Sequence, residues 1–337
     1  MGQAGPALPG VGRLSLRSWL AIALLVCGGC GEVDEPVDSP ADSSVDSGGL
    51  DGDPATIPLA GACAMELDYG GFVVDALLDY STVSGSVGDG VVPMTVLEEV
   101  VAEGDCRALR RNNPYCHPPC QADEACDFGG SCVPYPATQD LGSVSILGLG
   151  ETVSMDPVSP GFTYFDTSVG HPAYQVGRLA QLVIEQGPWG PITLHGVGVE
   201  QLVLTQETWL LFEGRDLAIT WEPPTELARS EVVLRITIDQ HGATPISLSC
   251  SFADDGEGMV PASMIDLLVT AGVTGFPNGG LVRRTADSVP LGQAGCVDFV
   301  LSSTRTTDVR VDGFTPCDDD EDCPEGQECN EAIEICE

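Results

Sequence analysis

Three groups of residues in this chain have types and spacings that could do chemistry: histidines near acids, runs of carboxylates, and cysteines in quartets. Asp239 and His241 stand two apart in "DQHG". On an extended strand that spacing puts both on one face, where a carboxylate can orient an imidazole as a base. His171 and His195 are further candidate bases. Neither a Gly-x-Ser-x-Gly elbow nor a His-Glu-x-x-His helix accompanies them, and no phosphate-cradling glycine loop follows a strand. The better reading of His241 is a strand-end residue in a turn. A secreted hydrolase or carbohydrate-active protein with a site near His241 or His195 is the alternative.

The acidic runs suggest a hard cation. Asp318 to Asp322 read "DDDED", and Asp254 to Glu257 read "DDGE". An EF-hand loop begun at Asp318 would need glycine at its sixth position and glutamate at its twelfth; the chain has Cys323 and Cys329 there. The template fails. Asp318, Asp320, Asp322, Asp254 and Asp255 are left as candidates for a looser calcium site, with a solvated acidic face as the alternative. No other cofactor is expected. Trp189, among turn formers in "GPWGP", is the candidate aromatic platform for a sugar or peptide, unless it packs under its own loop. Trp209 and Trp221 lie in strand patterns and read as core.

The cysteines form two similar modules. Cys116, Cys120, Cys126 and Cys132 fall within "CHPPCQADEACDFGGSC"; Cys317, Cys323, Cys329 and Cys336 fall within "CDDDEDCPEGQECNEAIEIC". Each holds four cysteines among acids and turn formers with almost no core, so covalent cross-links must hold its shape. Structural zinc prefers close Cys-x2-Cys pairs, and neither module has one. Four cysteines allow three connectivities. The expected one is first-to-third and second-to-fourth: Cys116–Cys126, Cys120–Cys132, Cys317–Cys329 and Cys323–Cys336. Cys63 with Cys106, and Cys250 with Cys296, would complete the set, although Cys250 sits on an apolar strand face where a buried thiol is the alternative.

The elements that must position these residues are strands. In "PISLSCSF", Ile246, Leu248, Cys250 and Phe252 face one way while Ser247, Ser249 and Ser251 face the other. In "EVVLRITID", Val232, Leu234, Ile236 and Ile238 alternate with Val233, Arg235, Thr237 and Asp239. "DLAITW" alternates likewise before Pro223 and Pro224 end it. Similar runs occur over 72–78, 143–149, 181–185, 199–204, 296–301 and 307–312. One helix is expected over 261–271, with Met264, Ile265 and Leu268 on its inner side, Pro261 at its start and Gly272 as its stop. "TVLE" at 95–98 fits a capping box or a strand. Many short strands without alternating helices predict a mainly β fold: an antiparallel β-sandwich with disulfide-stapled cysteine-rich modules and one short helix.

The first 23 residues carry no acid and two arginines (Arg13 and Arg17), and Trp19–Val26 form the apolar run "WLAIALLV". A basic start, a short apolar run and small residues behind it form an export signal. That run is too short for a membrane-spanning helix, which needs about 20 apolar residues. In "LLVCGGCGE", Cys30 follows Gly28 and Gly29, whereas Cys27 follows Leu25 and Val26. This resembles the lipobox of bacterial lipoproteins, with Cys27 in a position usually held by leucine. The resemblance implies cleavage before Cys30 and a lipid on it, which leaves an even dozen cysteines for disulfides. With the short cysteine repeats, such as "DCPEGQEC", the layout is similar to exported lipoproteins of the myxobacterial type. Because Gly31 and not Asp follows the anchor, the resemblance implies the outer membrane or cell surface.

The expected organisation is a signal over 1–29, a lipid-anchored acidic tether over 30–58, a β body over 59–315 with a cysteine-rich insert at about 103–137, and a terminal module over 316–337. Residues 31–58 hold too few large apolar groups to offset the entropy of ordering them. There is no lysine; all 13 basic residues are arginine, against 51 acids. Removing Arg13 and Arg17 takes the formal charge from −38 to about −40. Such a balance disfavours nucleic acid, whose phosphates need cations. It equally disfavours adsorption to anionic head groups, so a covalent anchor is the expected route to a membrane. The function expected is that of a non-catalytic envelope lipoprotein with a binding or structural role, its partner a protein or glycan.

Overall fold

The computed structural model describes residue 50 and residues 53–337, apart from 112–114, 128, 226–228, 240–245 and 293–294. Cys30 and His241 lie outside the described residues. The first strands are β1 (Asp68–Ala76), β2 (Ser81–Val87), β3 (Leu97–Glu103) and β4 (Cys106–Arg111). Two short ones, β5 (Glu124–Cys126) and β6 (Cys132–Pro134), form the first cysteine module. There follow β7 (Val144–Leu147), β8 (Val153–Met155), β9 (Tyr164–Asp166), β10 (Leu179–Ile184) and β11 (Ile192–Val197). Next come β12 (Thr208–Leu211), β13 (Leu217–Thr220), β14 (Glu231–Thr237), β15 (Ile246–Ala253) and β16 (Glu257–Val260). The helix α1 (Ala262–Ala271) precedes the longest strands, β17 (Asn278–Leu291) and β18 (Gly295–Val311). The terminal module contains β19 (Cys329–Asn330) and β20 (Ile335–Cys336).

Ten strands share one mixed sheet in the order β3-β4-β15-β14-β17-β18-β1-β2-β9, with β12 beside β18. Most pairs are antiparallel. The exceptions are β1 and β12, which run parallel to β18 and follow one another along the same edge of it. A second sheet, β11-β10-β7-β8, packs over one half of the first. The approach is close: an added Cβ at Gly196 of β11 would lie 2.8 Å from Leu301 Cγ of β18. Phe72, Val74, Leu182, Leu194, Phe299 and Leu301 belong to the core between these layers.

The other half of the large sheet has its own core. Leu234, Ile236, Leu248 and Phe252 meet Trp209 and Trp221 with Met264, Ile265 and Leu268 of α1. The helix has the expected inner residues because three apolar side chains fall on one stripe. Both cores share β17 and β18. Leu281, Val309 and Val311 belong to the second core, and Leu291, Val297, Phe299 and Leu301 to the first. Between them the buried positions turn polar: Arg283, Thr285 and Ser303 are each at most 2% exposed.

That polar waist explains where one expectation fails. Residues 199–204 alternate like a strand, yet only Leu204 makes a bridge, to Trp221. The segment crosses the waist and finds its partners in side chains. Ser303 Oγ accepts the Leu202 N–H, and Arg283 donates to the carbonyls of Glu200 and Gln201. The runs 296–301 and 307–312 turn out to be one strand, β18. "TVLE" resolves as a 3-10 turn, Pro93–Thr95, running into β3.

Among the described residues there are six disulfides. Both modules show the expected first-to-third and second-to-fourth pairing. The other two expected pairs are corrected: Cys63 joins Cys296, and Cys106 joins Cys250. The cause is strand order. β4 pairs antiparallel with β15 in a register that sets Cys106 opposite Cys250, with Cα atoms 4.0 Å apart. Cys63 lies on the segment leading into β1, which pairs with β18 where Cys296 begins it. Cysteine separations of 144 and 233 residues are thus closed by non-local sheet pairing. Disulfides on this scale belong outside the reducing cytoplasm. A non-reducing digest should yield peptides linking Cys63 to Cys296 and Cys106 to Cys250; a Cys63–Cys106 link would contradict this register.

Candidate functional site

The outer face of the large sheet is set by period two. On β14, Val232, Leu234 and Ile236 enter the core, so Val233, Arg235 and Thr237 face outward. Ser247, Ser249 and Ser251 do so on β15, and Arg107, Leu109 and Arg111 on β4. Register aligns them: Arg235 stands opposite Ser249, and Ser249 opposite Arg107. In the neighbouring row Ser247 stands opposite Leu109. The result is a serine floor flanked by guanidinium groups. It is part of a broad groove of about 1190 Å³, walled by the segment 59–65 and by Arg229, Arg284 and Asp298.

Five arginines therefore line one groove of a protein with a formal charge of −38. They are not equally free. Arg284 Nε donates to Glu231 at 2.8 Å, and Arg229 donates to the carbonyls of Pro54 and Ile57. Arg107 faces Glu99 at 3.5 Å in an exposed pair of small energetic weight. Among the described residues, Arg111 and Arg235 have no ion pair, and both are exposed. Asp105 and Asp68 also border the groove, so its charge is mixed, with cations concentrated over the serines.

One wall is held by carboxylates. Asp298 Oδ1 accepts the Cys63 N–H at 2.8 Å, and Asp287 Oδ1 accepts the Ala60 N–H at 2.9 Å. Burial pushes the Asp298 carboxyl up to about 6; the Cys63 N–H opposes this, Asp68 adds to it, Arg284 opposes it and Asp287 adds to it. Residues 53–58, expected as the end of the tether, are bound to Arg229 through their carbonyls.

The two described candidate histidines, His195 and His171, both have side-chain partners. His195 lies on β11, half-buried, with Nδ1 4.0 Å from Asp287 Oδ2, beyond hydrogen-bond reach. Its Nε2, the atom a general base would use, meets the Gln181 side-chain amide at 3.2 Å. His171 Nδ1 is 3.0 Å from Ser81 Oγ, but that serine is 1% exposed and accepts the Ala173 N–H. A serine so buried holds a loop and is closed to substrate. Asp239 is also buried, and its carboxylate accepts from Thr274 Oγ1. Trp189 is half-buried at the rim of the first core, with its ring 6.4 Å from that of Tyr69.

The carboxylate runs are engaged locally. Asp254 is the counter-ion of buried Arg283: both its oxygens accept from that guanidinium, and also from Trp221 Nε1 and Ser230 Oγ. Every acceptor direction of that carboxylate is thus used. Asp255 is exposed, and its Oδ1 lies 3.4 Å from the Glu257 nitrogen. Asp322 accepts the Asp318 N–H and Asp320 the Cys329 N–H, so both brace the terminal module. Among the described residues, the groups close enough to share an ion are Cys116, Cys120 and Cys132; Cys317, Cys323 and Cys336; and Cys63, Cys296 and Asp298. All of those cysteines are in disulfides.

No family model matches the chain, and no curated protein does. Among solved structures it is similar to one described as structural insight into host cell surface retention of a 1.5-MDa bacterial ice-binding adhesin. Identity there is 12%, over 74% of this chain and 66% of that one, with a TM-score of 0.20. A second is the FN1–FN3 domains of chicken CNTN1, at 9% identity over 69% of this chain and 79% of that one, again with a TM-score of 0.20. Likenesses of that size carry no argument about activity.

The groove's wall makes a prediction for pH. Folding favours protonated Asp298, so its stabilising contribution is fully present below its ordinary value of 3.8 and is lost as pH rises through about 6. Asn at this position keeps an oxygen for the Cys63 N–H and cannot ionise. Asp298→Asn should therefore raise the urea midpoint at pH 7.5 and leave it nearly unchanged at pH 3.5. An equal effect at both pH values would mean that Asp298 is not the group concerned.

Proposed function

We propose that this is an exported lipoprotein, anchored through Cys30 to the outer membrane or cell surface, that binds a ligand and does not catalyse a reaction. The observation that carries the binding role is the groove. A broad groove is lined by arginines, serines and carboxylates from paired strands, and among the described residues no histidine lines it. Side chains on strands whose backbones are already paired hold their positions well, which suits recognition. The bonds of Nε2 in His195 and of Ser81 supply neither a free base nor a reachable nucleophile.

The six disulfides fit folding after export. Among the described residues, no helix is long and apolar enough to cross a membrane. The lipobox-like residues before Cys30 supply the means of attachment, and the acidic stretch behind it serves as a leash. Cys30→Ser should abolish palmitate labelling and move the protein from the membrane fraction to the soluble fraction. Retention of both label and membrane association would refute the anchor.

A further inference from the structure

We infer that the arginine–serine face of the groove is a binding site for an acidic polysaccharide, one carrying carboxylate or sulfate groups along its length. This rests on the non-catalytic binding role proposed above and names its ligand. The cationic part consists of Arg107, Arg111 and Arg235 around Ser247 and Ser249. Guanidinium groups present planar forks of donors that match carboxylate and sulfate oxygens, and neighbouring hydroxyls add donors and acceptors.

The three arginines are spread along and across the strands. Arg107 and Arg111 are four residues apart on β4, which separates their Cα atoms by about 13 Å at the rise of a strand. Arg107 and Arg235 are two strands apart across β15, about 10 Å in the pairing direction. Stems so spaced, along β4 and across β15, can meet successive anionic groups of one extended ligand that follows the groove. A polyanion matches that layout.

A sugar chain fits better than an acidic peptide for reasons of backbone pairing. The groove floor is the face of β14, β15 and β4, and each of these strands is paired on both sides. It offers no free sheet edge for an extended peptide, whose own N–H and C=O groups would need new partners there. A polysaccharide has no such backbone. Its hydroxyls and charges can all be met by side chains. Among the described residues no aromatic side chain lines the groove, so a neutral sugar finds no described ring to stack on and charge supplies the recognition. The strongly negative remainder of the protein confines the attraction to contact range, since fields beyond about 8 Å are screened at physiological salt.

The test uses the detergent-solubilised full-length chain and four probes: polygalacturonate, dextran sulfate, neutral dextran and poly-glutamate. Saturable binding to polygalacturonate or dextran sulfate is expected, weakening as salt rises, with none to neutral dextran and little to poly-glutamate. The two anionic glycans tell carboxylate from sulfate recognition. Arg111→Gln with Arg235→Gln should weaken glycan binding by about tenfold or more, the scale of one or two lost charge-assisted hydrogen bonds. Arg110→Gln, on the other face and paired with Glu98, should have little effect. Equal binding to poly-glutamate, or equal affinity of the Arg111/Arg235 double variant, would overturn the inference. No binding to any probe would overturn it too, while leaving the broader binding role standing. Shortening of polygalacturonate chains during incubation would instead sink the non-catalytic role, whatever the variants do to affinity.

Discussion

The structure turns on the buried ion pair of Arg283 and Asp254. Their side chains are 1% and 3% exposed, in the region where two apolar cores give way to polar residues. A buried charge is tolerable only when paired and fully hydrogen-bonded. Here the accounting closes. Nε and one Nη2 hydrogen of Arg283 go to Asp254; the remaining donors reach the carbonyls of Glu222, Glu200 and Gln201. That uses all five N–H groups of a guanidinium. Because those partners come from distant parts of the chain, the pair ties β17 to the end of β15, the 199–204 crossing and the turn after β13. Neutralising either partner leaves the other charged and buried.

The same waist positions the groove on the opposite face. Arg283 points inward and Arg284 outward because successive residues of β17 alternate. The inward arginine anchors the crossing segment; the outward one pairs with Glu231 at the groove wall. A second fastening, Cys63–Cys296 with Asp298 beneath the Cys63 N–H, holds the segment 59–65 along that wall. Core and binding face are therefore two sides of the same strands, so a change in strand register would disturb both.

Local patterns in the sequence were legible where the determining physics is local. The alternation in "PISLSCSF" put Leu248, Cys250 and Phe252 in the core, and that in "EVVLRITID" did so for Val232, Leu234, Ile236 and Ile238, although Val233 and Asp239 of the opposite set are buried too; the apolar stripe of 261–271 located the helix. The connectivity within each cysteine module was also readable, since the loops are short and self-contained. What the sequence could not show was strand order. Cys106 and Cys250 are neighbours only because β4 lies beside β15, and the pairing expected for the four cysteines outside the modules missed this. Residues 199–204 carry a strand-like pattern but are satisfied by Ser303 and Arg283, a non-local cause. Asp254 stood out in an acidic run as a cation ligand, while its true counter-charge lies 29 residues on. The groove shows the same limit. Arg235 and the serines were visibly outward, but nothing local brings Arg107 and Arg111 beside them.

The central claim is that the Arg283–Asp254 pair holds the two cores in one fold, and urea unfolding of Asp254→Asn tests it most directly. Breaking a buried pair by neutralising one partner typically costs about 3–5 kcal/mol. Asp254→Asn should lose stability on that scale, and Asp254→Leu combined with Arg283→Met should recover much of it by removing both charges. A loss below about 1 kcal/mol for Asp254→Asn, the range of exposed pairs, would contradict the account.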